Sequence, residues 1–581
     1  MKVMLVHLMA VALVLLSDMA AAYEGYALLI DAGSTGSRSY VFHITEVYQE
    51  PADKAKGPNI DNSASEKKLL SREVEAFPGL RIKKGISSFA DVPGDHLVSE
   101  HFVPMFINAA ENIPKSKWAS TQVFIKGTAG MRLLSEEKQE KLWTNLLLIN
   151  KDNRNPFHLF RRNLGTIDGD DEAYYAVLAS NYIAKSIDGR LQRVEGTEMV
   201  GALDMGGSST QLIFYVGDGA AATTSGGDGD SDGKGGSGGK TVTQSDFWSN
   251  SWLNYGAERV RERAQDLLIH RHVSAKSSEG GVPSANAQGA EDDEPMSIAN
   301  PCFQRGYSAV IAHMAEYSVG GHERHAGNFH LHGQGDPDEC LQLITDVLWP
   351  EQSCRRLQSG ASDAADSGSD GGGAASPCYV DNIQNPAVSG HFYAMSVYYF
   401  ANDAVKTLGE PSNLEHWPTP TIFELEKAAR AFCQIQWPGE PGARTSAWSK
   451  KHEYSGNSQL PHRCFETLYQ AVLLEHGFGF QKDKRHVTFA MDVEGQDVEW
   501  TLGFVLANLN LHPSGDGRGS NSQLRVDLLD PHGMLVKQLK VLTHQIHSLN
   551  LNNFMGPVYS YIDSMVEMAH EATYGLFRGE L

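Results

Sequence analysis

The chain has 581 residues, and 49 Lys and Arg against 71 Asp and Glu give a formal net charge of −22. Such acidity argues against a nucleic-acid-binding protein, because phosphate backbones select clustered positive charge. The length predicts about two to four structural units and excludes a small scaffold held by disulfides.

The first 22 residues have the pattern of a secretory signal peptide. Lys2 precedes an apolar run over residues 3–16, and three alanines end the segment at Ala22. The run is shorter than the roughly 20 apolar residues that a membrane-spanning helix needs. We predict cleavage near Ala22, location in the lumen of the secretory pathway or outside the cell, and no stable membrane span afterwards. An uncleaved signal anchor is the alternative.

Two strand–loop–strand units form an internal repeat. Apolar stretches at 26–30 and 39–42 flank a Gly-Ser-Thr loop that begins at Asp31, and a second unit of the same order has its loop at Asp204. Two copies of one hairpin predict two lobes of similar fold with a cleft between them.

Further elements are predicted along the chain. A strand covers 123–125. The segment 172–183 is apolar-rich, contains neither Gly nor Pro and follows a turn at 167–171, so it predicts a helix. Helices are also predicted at 390–408 and 464–474.

Segments rich in Gly, Ser and Asp separate the regions of folded character. They lack the apolar content that would offset the entropy of ordering them, so we predict loops rather than domains. These spacers are residues 217–240, 276–296 and 357–377.

The two repeated loops predict a phosphate-binding site. Glycine exposes backbone N–H groups, and Ser and Thr add hydroxyls, so such a loop can wrap a phosphate without cationic side chains. Asp31 and Asp204 would then stand beside the phosphates, and a divalent cation, Mg²⁺ or Ca²⁺, is needed to offset the repulsion. We predict that both Asp residues, with Thr128, hold the metal through water.

Cleavage of a phosphoanhydride also requires a group that orients and deprotonates water. Glu172, at the start of the predicted helix, is the candidate general base. Ser209 and Gln211 could hold the same water by hydrogen bonds. These three residues are the predicted catalytic group.

Six cysteines, all in the second half of the chain, form an even set that suits an oxidising compartment. Fifteen pairings are possible. Our working hypothesis is closure between nearest neighbours, namely Cys302 with Cys340, Cys354 with Cys378, and Cys433 with Cys464. A histidine cluster between His313 and His332 is interpreted as loop residues, since neither a fixed helical spacing nor an adjacent Cys supports a metal site.

Five motifs stand in a fixed order. They are Asp-Ala-Gly-Ser-Thr-Gly-Ser-Arg at 31–38, Gly-Thr-Ala-Gly-Met-Arg-Leu-Leu at 127–134, Ile-Asp-Gly-Asp-Asp-Glu-Ala at 167–173, Leu-Asp-Met-Gly-Gly-Ser-Ser-Thr-Gln at 203–211 and Trp-Thr-Leu-Gly at 500–503. They resemble the signature regions of the apyrase family, the nucleoside triphosphate diphosphohydrolases, which include Golgi guanosine and uridine diphosphatases. The resemblance spans roughly residues 25–510.

The resemblance implies an α/β fold of the actin and sugar-kinase type, in which two ribonuclease-H-like lobes close on a nucleotide. Residues 23–168 with 492–581 would form lobe I, and 169–491 lobe II. The implied reaction is divalent-metal-dependent hydrolysis of nucleoside di- or triphosphates to the monophosphate by direct attack of water. The family also pairs its cysteines as hypothesised above.

The resemblance implies binding roles by motif position. It points to Phe400 or Tyr399 as the ring that stacks on the nucleobase. Phosphate binding falls to Ser34, Thr35, Gly36, Ser37, Gly206, Gly207 and Ser208.

The third motif departs from the family pattern, because Ala173 follows Glu172 where the family usually has Gly, and Val177 stands in place of a Trp. Glu-Ala is more typical of exopolyphosphatases, a related family with the same two loops, so hydrolysis of polyphosphate or guanosine tetraphosphate is an alternative. The cysteines, the signal peptide and the last motif weigh against it. A non-catalytic secreted nucleotide-binding or adhesive protein is a second alternative, which the combination of Glu172, Ser209 and Gln211 disfavours.

Overall fold

The computed structural model describes ten stretches of the chain. The predicted signal peptide up to residue 19, nearly all of the three spacers, Cys354 and Cys378 lie outside the described residues. The described residues are 20–49, 68–217, 240–278, 295–313, 325–350, 379–410, 414–439, 446–493, 495–509 and 527–528.

The strands are numbered in chain order. They are β1 Ala20–Ala32, β2 Gly36–Gln49, β3 Lys68–Lys83, β4 Gln122–Gly127, β5 Leu164–Thr166, β6 Gly201–Met205, β7 Ser209–Tyr215, β8 Phe247–Leu253, β9 Met296–Asn300, β10 Ser308–His313, β11 Gly327–Gly333, β12 Phe392–Ser396, β13 Val487–Phe489, β14 Asp492–Val493, β15 Gln496–Asp497 and β16 Asp527–Leu528.

The α-helices are numbered in the same way, and short 3₁₀ and π segments connect some of them. They are α1 Gly94–His96, α2 Val103–Glu111, α3 Ala129–Arg132, α4 Glu136–Leu146, α5 Gly169–Ile183, α6 Ala257–Ser278, α7 Pro337–Leu348, α8 Val397–Leu408, α9 Ile422–Gln434, α10 Arg463–Val472 and α11 Trp500–Asn508.

Two sheets repeat one topology. The first has the order β3-β2-β1-β4-β5, and the second, taken from its hairpin edge, has the order β8-β7-β6-β12-β13. In each sheet the first three strands are antiparallel and the last two run parallel to the third. The prediction of two lobes built on one repeated hairpin is therefore confirmed, while the limits of the lobes stay a prediction.

Helices α5 and α11 pack together and join the two sheets through one hydrophobic core. The helices approach so closely at Gly503 that a methyl group there would collide with the Tyr175 carbonyl. Trp500 is fully buried in the same core and packs near the Tyr175 ring. This contact places Glu172, near the start of α5, between the two repeated hairpins.

Separate cores cover the remaining faces of the sheets. One cluster packs α2 and α4 on the first sheet, and another packs α6 to α10 on the second. A third sheet, β10-β11-β9, lies in the second half of the chain.

Two of the three hypothesised disulfides lie among the described residues, and both are confirmed. Cys302 is bonded to Cys340 in α7, and Cys433 in α9 is bonded to Cys464 in α10. All four of these cysteines are buried.

The histidine cluster was interpreted as loop residues, which is wrong for three of its members, since His313 ends β10 and His330 and His332 lie in β11, where the two strands pair.

The predicted elements agree with the structure with one exception. The strand at 123–125 is part of β4, the helix at 464–474 begins with α10, and α5 begins slightly before 172 because Asp168 caps it by accepting from the Asp171 N–H (2.7 Å). The helix predicted over 390–408 is wrong in its first part, since β12 precedes α8 there. Residues of β12 are paired on both sides, and a short apolar run of this kind has no periodicity that distinguishes strand from helix.

Across the described stretches, none of the helices has the length and apolar character needed to cross a bilayer.

Candidate active site

Each of the two main sheets contributes one tight hairpin turn to the site. The β1–β2 turn is closed by a hydrogen bond from the Gly33 N–H to the Gly36 carbonyl (3.0 Å). The β6–β7 turn is closed in the same place, from the Gly206 N–H to the Ser209 carbonyl (2.9 Å). The sequence repeat is therefore also a repeat of backbone geometry.

The two turns approach each other across the cavity that lies between them. A methyl group on Gly207 would lie 2.7 Å from the Thr35 methyl carbon and 2.8 Å from the Ser34 hydroxyl. A larger residue at position 207 would have to displace both of these side chains. The cavity is lined by five of the residues predicted to bind phosphate, namely Ser34, Thr35, Gly36, Gly206 and Gly207.

The structure places the other two predicted phosphate-binding residues away from the cavity. Ser37 is 0% exposed and its hydroxyl is hydrogen-bonded to Nε2 of the buried His101 (2.8 Å), because side chains alternate along β2. Ser208 is also buried, and its carbonyl accepts from the Asn254 N–H (2.7 Å). Both residues support the turns rather than line the space between them.

Asp31 and Asp204 are buried and line the same cavity. Burial raises the pKa of Asp31 well above its usual value, with Arg38 opposing and Glu499 adding to the rise. Burial, together with the negative charges of Glu172 and Glu499, raises the pKa of Asp204 to about 7. A positive charge in the cavity would therefore stabilise the ionised form of both carboxyl groups.

Glu172, Ser209 and Gln211 are brought together as one hydrogen-bonded group. Nε2 of Gln211 donates to the Ser209 hydroxyl (2.8 Å) and has two further acceptors in reach, the Ser251 hydroxyl (3.0 Å) and Oε2 of Glu172 (3.3 Å). All three residues are buried, and Glu172 and Ser209 line the cavity. Burial raises the pKa of Glu172, as suits a group that must accept a proton.

Arg132 connects the members of this group, and its role was not predicted. Nη1 of Arg132 donates to Oε2 of Glu172 (3.0 Å), and Nη2 donates to the Ser209 hydroxyl (3.1 Å). The positive charge of Arg132 lowers the pKa of Glu172 and so opposes the effect of burial. Its position within the second motif is the feature of the sequence that could have pointed to it.

Arg38 and Glu499 form a second unpredicted contact at the cavity. Nη1 of Arg38 lies 3.4 Å from Oε1 of Glu499 and 3.9 Å from Oδ2 of Asp31. Burial disfavours the charge of Arg38, but Glu499, Tyr40 and Asp31 outweigh it and raise its pKa. Glu499 directly precedes Trp500, the first residue of the fifth motif. This position is the feature of the sequence that could have pointed to Glu499 as a site residue.

Of the two predicted nucleobase residues, Phe400 lines the cavity and Tyr399 does not. Phe400 is only 3% exposed, because Tyr454 stacks on it with ring centroids 4.8 Å apart and planes at 24°. Tyr454 also lines the cavity and is more exposed. It lies outside every motif, so the sequence held no signal for it.

The donor set fits a hydrated divalent cation. Oδ1 of Asp31, Oδ1 of Asp204 and Oε1 of Gln211 are buried and have no hydrogen-bond partner. Thr128, which precedes α3, lines the same cavity. In the part of the chain that the structure describes, no three His, Cys, Asp or Glu side chains are grouped to hold an ion directly. Two carboxylates and a hydroxyl suit an ion that keeps most of its water ligands.

The chain is similar to known nucleotide hydrolases. The model of the GDA1/CD39 (nucleoside phosphatase) family matches residues 19–524. The Golgi apyrase of Saccharomyces cerevisiae is 24% identical over 533 residues, which cover 87% of this chain and 73% of the yeast protein. Ectonucleoside triphosphate diphosphohydrolase 8 of Bos taurus is 26% identical over 507 residues, which cover 84% of this chain and 83% of the bovine protein.

The fold is similar to that of a solved structure. Nucleoside triphosphate hydrolases from Neospora caninum superpose with a TM-score of 0.52 at 15% identity, covering 87% of this chain and 96% of that chain. Together with the repeated sheet topology, this similarity confirms the predicted actin and sugar-kinase type of fold.

Proposed function

The chain belongs to the GDA1/CD39 (nucleoside phosphatase) family and is a phosphoanhydride hydrolase, and on this premise we propose that it hydrolyses nucleoside di- or triphosphates to nucleoside monophosphate and phosphate. The observation that carries the proposal is the hydrogen-bonded group of Glu172, Ser209 and Gln211 beside two facing turns. A base and a hydroxyl that line the cavity, with an amide hydrogen-bonded behind them, suit direct attack by water.

Different residues of the chain bind the phosphate, orient the water and accept its proton. Backbone N–H groups of the two turns hold the terminal phosphate, and Ser209 and Gln211 orient the water. Glu172 takes a proton from that water as its oxygen bonds to phosphorus. The bond from phosphorus to the bridging oxygen breaks, and phosphate and the shortened nucleotide are released. A positioned base of this kind contributes about 10²–10⁴ in rate.

The proposal includes dependence on Mg²⁺ or Ca²⁺. The bound cation would supply positive charge that offsets the repulsion between phosphates and buried carboxylates. Asp31, Asp204 and Thr128 are the residues we assign to hold it through water. The buried, unpaired Oδ1 atoms of Asp31 and Asp204 support this assignment, and Thr128 lines the same cavity.

Phosphate release from a panel of substrates tests the proposal. The purified protein is assayed with UDP, GDP, ATP and inorganic polyphosphate, with Mg²⁺ or Ca²⁺ and again with excess EDTA. We expect turnover of nucleotides that EDTA abolishes and added cation restores. Faster turnover of polyphosphate than of every nucleotide would support the exopolyphosphatase alternative, and nucleotide binding without release under any cation would support the non-catalytic one.

We also propose residence in the lumen of the secretory pathway. The two buried disulfides suit an oxidising compartment, and relatives from two yeasts are named Golgi apyrase. N-terminal sequencing of the mature protein, with localisation of a tagged full-length chain, tests this proposal and the predicted cleavage near Ala22.

A further inference from the structure

The cavity is acidic overall, although its proposed ligand is an anion. Seven acidic side chains line it against four cationic ones. Arg38 is engaged by Glu499 and Asp31, and Arg463 is bonded to Glu466 (2.6 Å). Arg81 and Lys83 are the two remaining cations.

Arg81 and Lys83 are held by the end of β3 on one side of that strand. Side chains two residues apart point to the same face of a strand. Ile82, between them, packs into the hydrophobic core instead. The register with β2 places Arg81 opposite Arg38 and Lys83 opposite Gly36 of the first turn. The rigid hairpin therefore presents both cations beside the phosphate-binding turn.

Both cations also reach the aromatic end of the cavity. The Arg81 guanidinium carbon lies 5.1 Å from the centre of the Phe400 ring. Nζ of Lys83 approaches the segment that follows Tyr454, since a methyl group on Gly456 would lie 3.1 Å from it. Arg81 and Lys83 thus lie between the turn that would hold the attacked phosphate and the rings that would hold the base.

Neither cation is neutralised within the described parts of the chain. Both side chains keep solvent-exposed surface, although the Arg81 guanidinium is partly covered by the Phe400 ring, and no carboxylate of the described residues forms an ion pair with either of them. Partial burial of the Arg81 guanidinium and the positive charge of Arg38 lower the pKa of Arg81 to about 10, so it stays charged at neutral pH. Glu499 and Asp31 act on Arg81 only from beyond ion-pair distance. Two cations without an ion-pair partner among the described residues, in an otherwise acidic cavity, indicate an anionic ligand group at this point.

We propose that Arg81 and Lys83 bind the phosphate that remains on the nucleoside after cleavage, the leaving-group phosphate. This inference rests on the proposed function and extends it to a specificity-determining pair. The two turns would hold the phosphate under attack, and Arg81 and Lys83 would hold the adjoining phosphate. Substrates whose leaving group carries a phosphate would be favoured, and the monophosphate product would bind through the same contact.

Product inhibition tests the pair directly. We expect Arg81→Gln and Lys83→Gln each to raise the inhibition constant of nucleoside monophosphate, and the KM of nucleoside diphosphate, by about 10-fold, the range of one hydrogen bond to a charged group. The inhibition constant of inorganic phosphate changes by less than about 2-fold. Arg81→Lys, which keeps the charge, retains most of the affinity, and the KM of the wild-type protein rises with salt more steeply than that of the Gln variants.

Lys84→Gln is the matched control. Lys84 follows Lys83 directly and carries the same charge, but it lies over the Phe89 ring (4.1 Å to the centroid) and does not line the cavity. Equal inhibition constants in Arg81→Gln, Lys83→Gln and Lys84→Gln would overturn the inference while leaving an active wild-type enzyme, and the proposed function, intact. If the wild-type protein cleaves no nucleotide, calorimetric binding of nucleoside monophosphate to the same variants still decides the inference, and circular dichroism verifies that each variant is folded.

Discussion

Asp31 and Asp204 occupy the same position in the two repeated hairpins, and both are buried with Oδ1 unpaired. Their cross-strand neighbours differ, because Asp31 stands opposite Arg38 and Asp204 opposite Gln211. The first hairpin thus sets a cation beside its carboxylate. The second sets an amide in reach of Glu172. The two turns share one backbone geometry, and the residue opposite the Asp differs between them: Arg38 in the first hairpin and Gln211 in the second.

The raised pKa of Asp204 predicts that the metal-free protein loses stability as pH rises. The pKa increases from 3.8 to about 7 on folding, so between these values the folded state binds more protons than the unfolded chain, and the free energy of unfolding falls as pH increases. Asp31 is shifted in the same direction. In EDTA, thermal denaturation at pH 5 and pH 7.5 should show the higher Tm at pH 5.

Asp204→Asn provides the comparison for this pH effect. The variant should reduce the dependence of Tm on pH in EDTA, and it should weaken activation by Mg²⁺ at least 10-fold. His101 and His462, whose pKa values are lowered by burial, change stability with pH in the opposite direction but are common to both proteins. The same dependence of Tm on pH in the wild-type protein and in Asp204→Asn would therefore contradict the raised pKa of Asp204.

Glu172→Gln should remove most of the turnover while the protein still folds and binds nucleotide. Gln can still accept a hydrogen bond from Arg132, so the group around Ser209 keeps its arrangement, but an amide cannot take the proton from water. We expect kcat to fall about 10²–10⁴-fold with little change in nucleotide affinity. Steady-state phosphate release and equilibrium binding of a non-hydrolysable nucleotide measure the two quantities, and an unchanged kcat would exclude Glu172 as the base.

Much of this site could be predicted from the sequence because its parts are local. A strand, an Asp and a glycine-rich turn are consecutive in each hairpin, and Glu172 begins a helix with a recognisable cap. The repeat of the unit then predicted two similar sheets and the meeting of their turns. Local order and repetition are properties that a sequence displays directly.

The remaining parts depend on register and on contacts between distant segments. Whether Ser37 faces the cavity or the core is decided by the alternation of β2, and a single position reverses it. Arg81 reaches the cavity only because β3 pairs with β2 at Arg38. Tyr454 lies in an irregular segment far along the chain, and packing against Phe400 and Tyr399 of α8 brings it to the site.

Arg132→Gln should shift the pH profile of catalysis. Arg132 lowers the pKa of Glu172, and the base must be ionised to act, so removal of the guanidinium moves the acidic limb of the kcat profile to higher pH. We expect kcat at pH 7 to fall about 10- to 100-fold. Arg154→Gln, which removes an exposed cation paired with Asp152, is the control. A lower kcat with an unshifted acidic limb would assign Arg132 a structural role alone.

Gly207→Ala should block the cavity without unfolding the protein. The added methyl would lie within 2.9 Å of Thr35, Ser34 and Glu258, which closes the gap between the turns. We expect kcat/KM to fall at least 10-fold, with circular dichroism unchanged. Gly165→Ala is the control, because the nearest atom to its methyl would be Nζ of Lys126 at 4.0 Å. Similar activities of the two variants would show that the gap is not used by substrate.

Tyr454→Ala should separate recognition of the base from recognition of the phosphates. The more exposed ring of the stacked pair is that of Tyr454, so a nucleobase entering the cavity has this face available to it. Loss of an aromatic contact of about 0.5–1.5 kcal/mol beyond its buried area predicts a KM for nucleoside diphosphate roughly 2- to 10-fold higher, with little change in kcat. Inorganic tripolyphosphate, which has no base, should be cleaved by the variant as by the wild-type protein. Phe423→Ala serves as the comparison, since the Phe423 ring is exposed and does not line the cavity. An equal loss for nucleotide and tripolyphosphate in Tyr454→Ala would mean that the ring supports the fold of the cavity and does not hold the base.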